Sequence, residues 1–228
     1  MIRRLILPLL FGLLGTAVLA GLGFWQLQRL AWKEGLLTEI NQRIGEDPVP
    51  LPRAPEEGAH DFMPVTLFGA IAFRPDGPFA QPIRVFGAWR GGRGYRIVVP
   101  VETDGRRVLV DLGIVPLATK GAVDLPDGPL RIVGNLAWPD EVGPSTPVPS
   151  HSEYYARDVP DMARFHDTEP VLVVARTVSP EVAPRPSPVG TEGIPNNHLG
   201  YAIQWFGLAL VWAGMTLFLL WRIRRRTV

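Results

Sequence analysis

His198 stands at the start of a long apolar run and is followed by aromatic side chains at helical spacing. If the run is a helix, Tyr201 and Trp205 lie three and seven residues beyond His198 and share one face with it. Trp212 continues that face further along the run. An ionisable side chain at the edge of a membrane span is costly and usually marks a ligand or a functional path. One interpretation is that this face stacks against a large flat cofactor. The other is that His198 caps the helix and the aromatic residues form a belt at the membrane interface. The residues alone leave both interpretations open.

The other polar side chains form no recognisable catalytic or metal-binding pattern. The chain has no cysteine, which excludes disulfides, thiolate zinc sites and cysteine nucleophiles. Two pairs of neighbouring acids suit solubility or helix capping, and three histidines lack a partner at metal-ligand spacing. These residues are Asp140 with Glu141, Asp158 with Asp161, and His60, His151 and His166. The Gly-Arg segment 90–94 lacks the context of a phosphate-binding loop and is interpreted as a hairpin loop.

Two apolar segments are long enough to cross a membrane as helices, residues 5–25 and 198–221. The first has Thr16 as its only non-apolar side chain, and the second has no formal charge from Leu199 to Trp221. Pro195 and the two asparagines after it suit the start of the second helix. The alternative for the first segment is a cleaved signal peptide, because it follows two arginines and has small residues around Ala20.

The charge distribution predicts the topology of these spans. All 22 acidic residues lie between the two apolar segments, and arginines occupy both ends of the chain. Because positive charge marks the cytoplasmic side of a span, we expect both termini in the cytoplasm and the middle of the chain outside. In a bacterium this is a multi-pass protein of the inner membrane with a periplasmic domain. The short basic tail is juxtamembrane, so we expect no nucleic-acid partner.

The middle of the chain changes from a helical to a β pattern. We predict a cytoplasmic N-terminus at 1–4, an exit helix and proline-rich linker at 26–60, a β-rich domain at 61–178, a second proline-rich linker at 179–197 and a basic tail at 222–228. Short runs separated by Gly, Pro and Asp predict strands at 65–72, 83–89, 95–102, 107–113, 130–138 and 171–178. Asp104-Gly105 predicts a hairpin turn, and Asp158 is a candidate cap for a short helix at 160–165.

The predicted fold is therefore a membrane protein in which two transmembrane helices flank a mainly antiparallel β domain, sandwich- or barrel-like, outside the membrane.

Motifs at both ends of the chain resemble those of the Surfeit locus protein 1 family of cytochrome c oxidase assembly factors. The first comprises Leu22-Gly23-Phe24-Trp25-Gln26 with Arg29, Trp32 and Lys33, and the last comprises His198-Leu199, Tyr201-Ala202 and Gln204-Trp205-Phe206. Weaker central motifs are Gly94-Tyr95, Asp104-Gly105, residues 110–116, Thr146-Pro147 and residues 155–163. One departure is that Asp111-Leu112-Gly113-Ile114 stands where the family usually has Asn-Arg-Gly-Trp.

The resemblance implies a non-enzymatic chaperone that binds haem a and helps to deliver it to subunit I of a haem-copper oxidase. His198 matches the family's ligand for haem iron, and Tyr201 and Trp205 are the expected contacts of the porphyrin. The implied partners are subunit I, membrane lipid and, as a further candidate, haem a synthase. Two other functions stay open: a scaffold that stabilises an oxidase assembly intermediate without binding haem, and, more remotely, a membrane-tethered periplasmic hydrolase.

Overall fold

The structure is a computed structural model that describes residues 2–75, 77–89, 92–119, 123–192 and 194–225. Arg90 and Gly91 of the predicted hairpin loop, and the last three residues of the basic tail, lie outside the described residues. The chain divides into two compact units. A helical unit comprises Met1–Glu39 and Thr191–Val228, and a β unit comprises Ile40–Gly190.

Two long apolar helices dominate the helical unit. Helix α1 covers Ile2–Ile44, and α3 covers His198–Arg225. Both are long and apolar enough to cross a membrane. Their large apolar side chains point outward, as shown by Leu7 and Leu210, which are 76% and 74% exposed. Such a continuous apolar surface is unfavourable in water and suits lipid, so these helices are interpreted as the membrane spans.

The two helices are antiparallel and pack closely, because glycines of α1 contact side chains of α3. A Cβ atom at Gly12 would lie 2.0 Å from Thr216, and one at Gly23 would lie 2.8 Å from the Phe206 ring. Aromatic contacts flank these points, with the centroids of Phe24 and Phe206 5.2 Å apart. Without a hydrophobic driving force between helices in lipid, this close backbone approach supplies the packing that holds the pair together.

The β unit contains a closed five-stranded barrel, which confirms the predicted β-rich domain between two apolar helices. The ring runs β2-β6-β8-β5-β4 and closes because β2 also pairs with β4, at Ala70 with Glu102 and Ile71 with Val101. The pairing of β5 with β8 is parallel, and the other pairings within the ring are antiparallel. The barrel strands are β2 (Pro64–Ile71), β4 (Gly92–Thr103), β5 (Arg106–Pro116), β6 (Leu130–Ala137) and β8 (Leu172–Ser179).

Three further strands extend the sheet outside the ring. Strand β3 (Ile83–Trp89) pairs with β4, β7 (Glu153–Tyr154) pairs with β3, and β1 (Val49–Pro50) pairs in parallel with β2. All six predicted strands are therefore present, and their observed ends lie within three residues of the predicted ones. The predicted hairpin turn also lies between β4 and β5, where Asp104 and Gly105 have φ angles of 50° and 72°.

The barrel core is built from alternating residues of its strands. Val65, Val99, Val110, Ile132 and Val173 are each completely buried and belong to one apolar cluster. A second cluster lies under helix α2 (Val159–His166) and contains Met162 of this helix together with residues of β3, β4, β5 and β8. Alternation along each strand points one set of side chains into the barrel, and the opposite set on β4, β5 and β8 belongs to the second cluster, so these three strands are buried on both faces.

An ionic cluster surrounds Asp111, in the segment that departs from the family motif. The Asp111 side chain is fully buried, and its Oδ2 lies 2.7 Å from Arg96 and 4.0 Å from Arg157. The Gly113 amide donates to Oδ1 at 3.0 Å. Arg157 also pairs with Glu141, which lies in the segment before β7. A buried carboxylate needs such partners, so Asp111 is compensated within the barrel wall.

The second proline-rich linker is fixed to the barrel rather than free along its whole length. Ile114 and Arg185 exchange both backbone hydrogen bonds, at 2.8 and 2.9 Å. Gly113 has a φ of 120°, and a Cβ there would lie 2.0 Å from the Arg185 carbonyl oxygen, so glycine permits this close approach. Arg96 adds a 3.0 Å hydrogen bond to the Ser187 hydroxyl.

Candidate functional site

His198 is the first residue of α3, as the sequence predicts for a histidine at the edge of a span. The helical ladder begins beside it, with the Tyr201 amide donating to the Asn197 carbonyl at 3.2 Å. Pro195 precedes this turn, and its carbonyl accepts a hydrogen bond from the Lys33 ammonium of α1. The turn that carries His198 is therefore held from both sides, by its own helix and by a side chain of α1.

Gln26 of α1 fixes the His198 ring. His198 Nδ1 lies 2.9 Å from Gln26 Oε1. The amide oxygen is an acceptor, so Nδ1 is the donor in this contact and Nε2 is the ring nitrogen that it leaves unengaged. No hydrogen bond to Nε2 is found within the described part of the chain. This is the arrangement in which a histidine binds a metal through one nitrogen while an acceptor orients the ring through the other.

The predicted aromatic residues follow His198 along α3. Tyr201 is 51% exposed, and Trp205 is half-buried. Offsets of three and seven residues keep both side chains on the face of His198. Within the helical unit, His198 and these rings thus form one surface with an imidazole at one end and apolar rings below it.

Two residues of α1 add polar groups near the same end, and the sequence interpretation gave neither a role. Gln26 is the ring acceptor described above. Arg29, about 4.5 Å further along the helix axis, places its guanidinium 4.0 Å from the centroid of the Trp32 ring. Both lie within four residues of the end of the first apolar run, and polar residues at that boundary are the signal that could have marked them.

The other histidines have structural surroundings. His60 Nδ1 accepts from the Glu56 amide at 3.0 Å, and His151 is exposed. His166 is completely buried, and burial lowers its pKa to about 4, with a smaller contribution from Arg107. Among the described residues, no group of three or more His, Cys, Asp or Glu side chains is arranged to hold a metal ion.

The neighbouring carboxylates have structural contacts as well. Asp158 caps α2 by accepting from the Asp161 amide at 3.0 Å. Asp161 accepts from the Tyr154 hydroxyl at 2.9 Å and pairs with Arg164, whose hydrogen bond lowers the pKa of Asp161. Glu141 pairs with Arg157. Asp158 therefore has the capping role that the sequence predicts, whereas Glu141 binds an arginine of the ionic cluster around Asp111.

Comparison with known proteins agrees with the motifs and the fold. A model of the SURF1 family matches residues 13–210. Surfeit locus protein 1 of Homo sapiens is 29% identical over 216 residues, which cover 83% of this chain and 69% of the human protein. The protein of the same name in Mus musculus is 30% identical, covering 87% of this chain and 71% of its own length. A SURF1-like protein of Drosophila melanogaster is 30% identical, with coverages of 87% and 73%.

The matched region includes most of α1, the whole β unit and the first half of α3, so it contains Gln26, His198, Tyr201 and Trp205. A match over this span shows that the chain belongs to the SURF1 family.

Proposed function

We propose that this protein is a membrane-bound assembly factor for haem-copper oxidases that binds haem a through His198 and aids its delivery to subunit I. The observation that carries the proposal is the contact between His198 and Gln26. The contact engages Nδ1 of the ring, and this supports a role for Nε2 as the iron ligand. A helix cap would not require this orientation of the ring, because a cap accepts from backbone amides of its own helix.

The surroundings of His198 fit an amphipathic porphyrin. Tyr201 and Trp205 offer aromatic surface for the ring. Arg29 offers a cation for the propionates near the polar end of the site. Haem a is the cargo here, and its iron supplies the coordination bond to imidazole. A single protein ligand at the edge of a span also allows release to a second protein, which a carrier requires.

The proposed setting is the inner membrane of a bacterium, with both termini in the cytoplasm and the β unit in the periplasm. Arginines at both ends of the chain support this orientation. Subunit I is the proposed recipient, and haem a synthase is the proposed source of the cargo. The function is binding and transfer, so no catalytic residue is assigned.

The test is to purify the wild-type protein and the His198→Ala variant from cells that make haem a, and to record their visible spectra. We expect the variant to accumulate normally but to carry much less haem, because the bond to iron is lost. Loss of a helix cap alone would cost only about 0.5 to 2 kcal/mol of helix stability. The matched control is His151→Ala, since His151 is exposed and belongs to the β unit.

A colourless wild-type protein would instead favour the scaffold that assembles an oxidase without carrying haem. If His198→Ala retained full haem with an unaltered spectrum, the ligand assignment would be wrong.

A further inference from the structure

A row of aromatic side chains crosses β4, β3 and β7 on one face of the sheet. Phe86 of β3 is the register partner of Tyr95 of β4. Tyr155 directly follows β7, whose Tyr154 is the register partner of Val85, so Tyr155 stands beside Phe86. The ring centroids of Tyr95 and Tyr155 lie 5.8 and 6.3 Å from that of Phe86. We call these three rings the aromatic row.

The aromatic row lies on the uncovered face of β3 and β7. On the opposite face, Val85 and Tyr154 are buried in the second apolar cluster, under α2. Tyr155 is 48% exposed, and Phe86 and Tyr95 are half-buried. Contiguous apolar rings on an open face mark a binding surface more often than isolated exposed residues do.

A void of about 170 Å³ lies against the aromatic row. Its wall comprises the three rings, Tyr154 and Glu153. Aromatic pairs across strands stabilise a sheet by direct contact, but these rings also surround space, with Tyr95 and Tyr155 inclined to Phe86 by 64° and 62°. The space equals the share of about five water molecules in the liquid, at about 30 Å³ each. A trimethylammonium group, which is a nitrogen with its carbon substituents, is of that size.

The charges around the void favour a cation. Glu153 is exposed, and within the described part of the chain its carboxylate has neither an ion pair nor a hydrogen bond. Aromatic faces carry partial negative charge and attract a cation that lies within about 6 Å of the ring centroid. A quaternary ammonium ion has no N–H group that needs an acceptor, so a wall of rings suits it better than it suits a primary ammonium ion.

An arginine on the same face adds a positive charge beside the void. Arg84 precedes Phe86 by two residues and is the register partner of Glu153, so the three side chains share one face. The Cζ atom of Arg84 lies 5.9 Å from the Tyr95 centroid. Arg84 and Glu153 also line a larger cavity of about 950 Å³, which shares Glu153 with the void. Since a guanidinium has five donors and serves several acceptors at once, an anionic group can bind there. A ligand with both charges therefore matches this face better than a simple cation.

We propose that the void binds the trimethylammonium group of a phosphocholine compound, with Glu153 and the aromatic row around the cation and Arg84 toward the phosphate. This site lies within the β unit and depends on neither His198 nor haem. Phosphocholine occurs both as the headgroup of phosphatidylcholine and in soluble esters, and the experiment separates these two sources.

The experiment titrates the full-length protein in maltoside detergent with phosphocholine and with phosphoethanolamine, using calorimetry. Phosphoethanolamine has the same anionic group but a primary ammonium, so we expect it to bind about fivefold more weakly. Tyr155→Leu should weaken phosphocholine binding about fivefold, because one cation–π contact is lost. Tyr155→Phe retains a ring and should retain the affinity. Phe68→Leu is the matched control, since Phe68 lies on β2, is 68% exposed and is not part of the void.

Nanodiscs of two compositions identify the source of the ligand. In phosphatidylglycerol nanodiscs, soluble phosphocholine should bind as it does in detergent. Loss of this binding in phosphatidylcholine nanodiscs would show that a lipid headgroup occupies the site. Equal binding in both nanodiscs would assign the site to a soluble phosphocholine ester.

Three results would overturn the proposal: no binding of phosphocholine, equal affinity for the two compounds, or unchanged affinity in Tyr155→Leu. Glu153→Gln provides a second test without removal of a ring, and it should also weaken phosphocholine binding because the charge beside the cation is lost. If phosphocholine does not bind but Tyr155→Leu lowers oxidase assembly, the aromatic row contacts a partner protein instead.

Discussion

Acidification should destabilise the β unit through His166. This side chain is completely buried between aromatic neighbours, with the Phe73 and Phe165 ring centroids 5.8 and 5.0 Å away. Neither ring nitrogen has a hydrogen-bond partner among the described residues. Burial, with a smaller contribution from Arg107, lowers the pKa of His166 from 6.5 to about 4 in the folded state. Between these two pKa values, His166 is neutral in the folded state and protonated in the unfolded state.

The sign and size of the effect follow from this difference. Below pH 6.5 the unfolded state binds a proton that the folded state excludes, so the free energy of unfolding falls as pH falls, until the folded pKa near 4 is reached. Between pH 7.5 and pH 5 the loss is about 2 kcal/mol, because each pKa unit corresponds to about 1.36 kcal/mol and about one and a half units are crossed.

The assay is urea unfolding of the full-length protein in detergent at the two pH values. Trp138, which packs against the barrel core, provides a fluorescence signal in the β unit. In His166→Gln the difference between pH 7.5 and pH 5 should shrink by about 2 kcal/mol, because no buried imidazole remains to be protonated. His151→Gln, at an exposed position, should retain the full difference. An unchanged pH dependence in His166→Gln would refute the reasoning.

Three further predictions concern the ionic cluster, the helix contact and the ring acceptor. Asp111→Ala should lower the free energy of unfolding, measured by urea titration, by about 3 kcal/mol, because it leaves Arg96 and Arg157 without their buried partner. A loss below about 1 kcal/mol would contradict this prediction. Gly12→Leu should lower the thermal stability of the detergent-solubilised protein, because the added atoms meet Thr216, whereas Gly21→Leu, with nothing within 4 Å, should not. Gln26→Leu should weaken haem binding about 10- to 100-fold in spectroscopic titrations, because the acceptor for His198 is lost. Gln26→Glu restores an acceptor and should recover the affinity. Equal affinity in both variants would exclude a role for Gln26 in orienting the His198 ring.

Local pattern was sufficient to predict most of the strands and both long helices. Short runs of β-branched and other apolar residues between turn residues located β2 and β8, and the first half of β8 is buried on both faces. Uninterrupted apolar runs located the spans. Closure of the barrel could not be predicted from the sequence. It depends on two residue pairs between β2 and β4, and the members of each pair are about 30 residues apart in the chain. Sandwich and barrel therefore remained alternatives until the pairing was known.

The candidate site was predicted on one helix only. His198 was identifiable because it is a titratable residue at the edge of an apolar run. Its acceptor Gln26 lies 172 residues earlier, and no local pattern connects the two. Asp111 was visible only as a departure from the family motif, since an acid within a run of buried strand residues carries no sign of which arginines will compensate it.

The position of β8 in the ring determines when the barrel can be completed during synthesis. This strand lies between β5 and β6, both of which precede it in the chain. Until Leu172–Ser179 has been made, the neighbouring strands present open edges that can pair with other chains. Ser179 is followed nineteen residues later by His198. The nascent chain must therefore complete its barrel at almost the same stage as it delivers its second span to the membrane, and a chain that ends before β8 should be prone to aggregation.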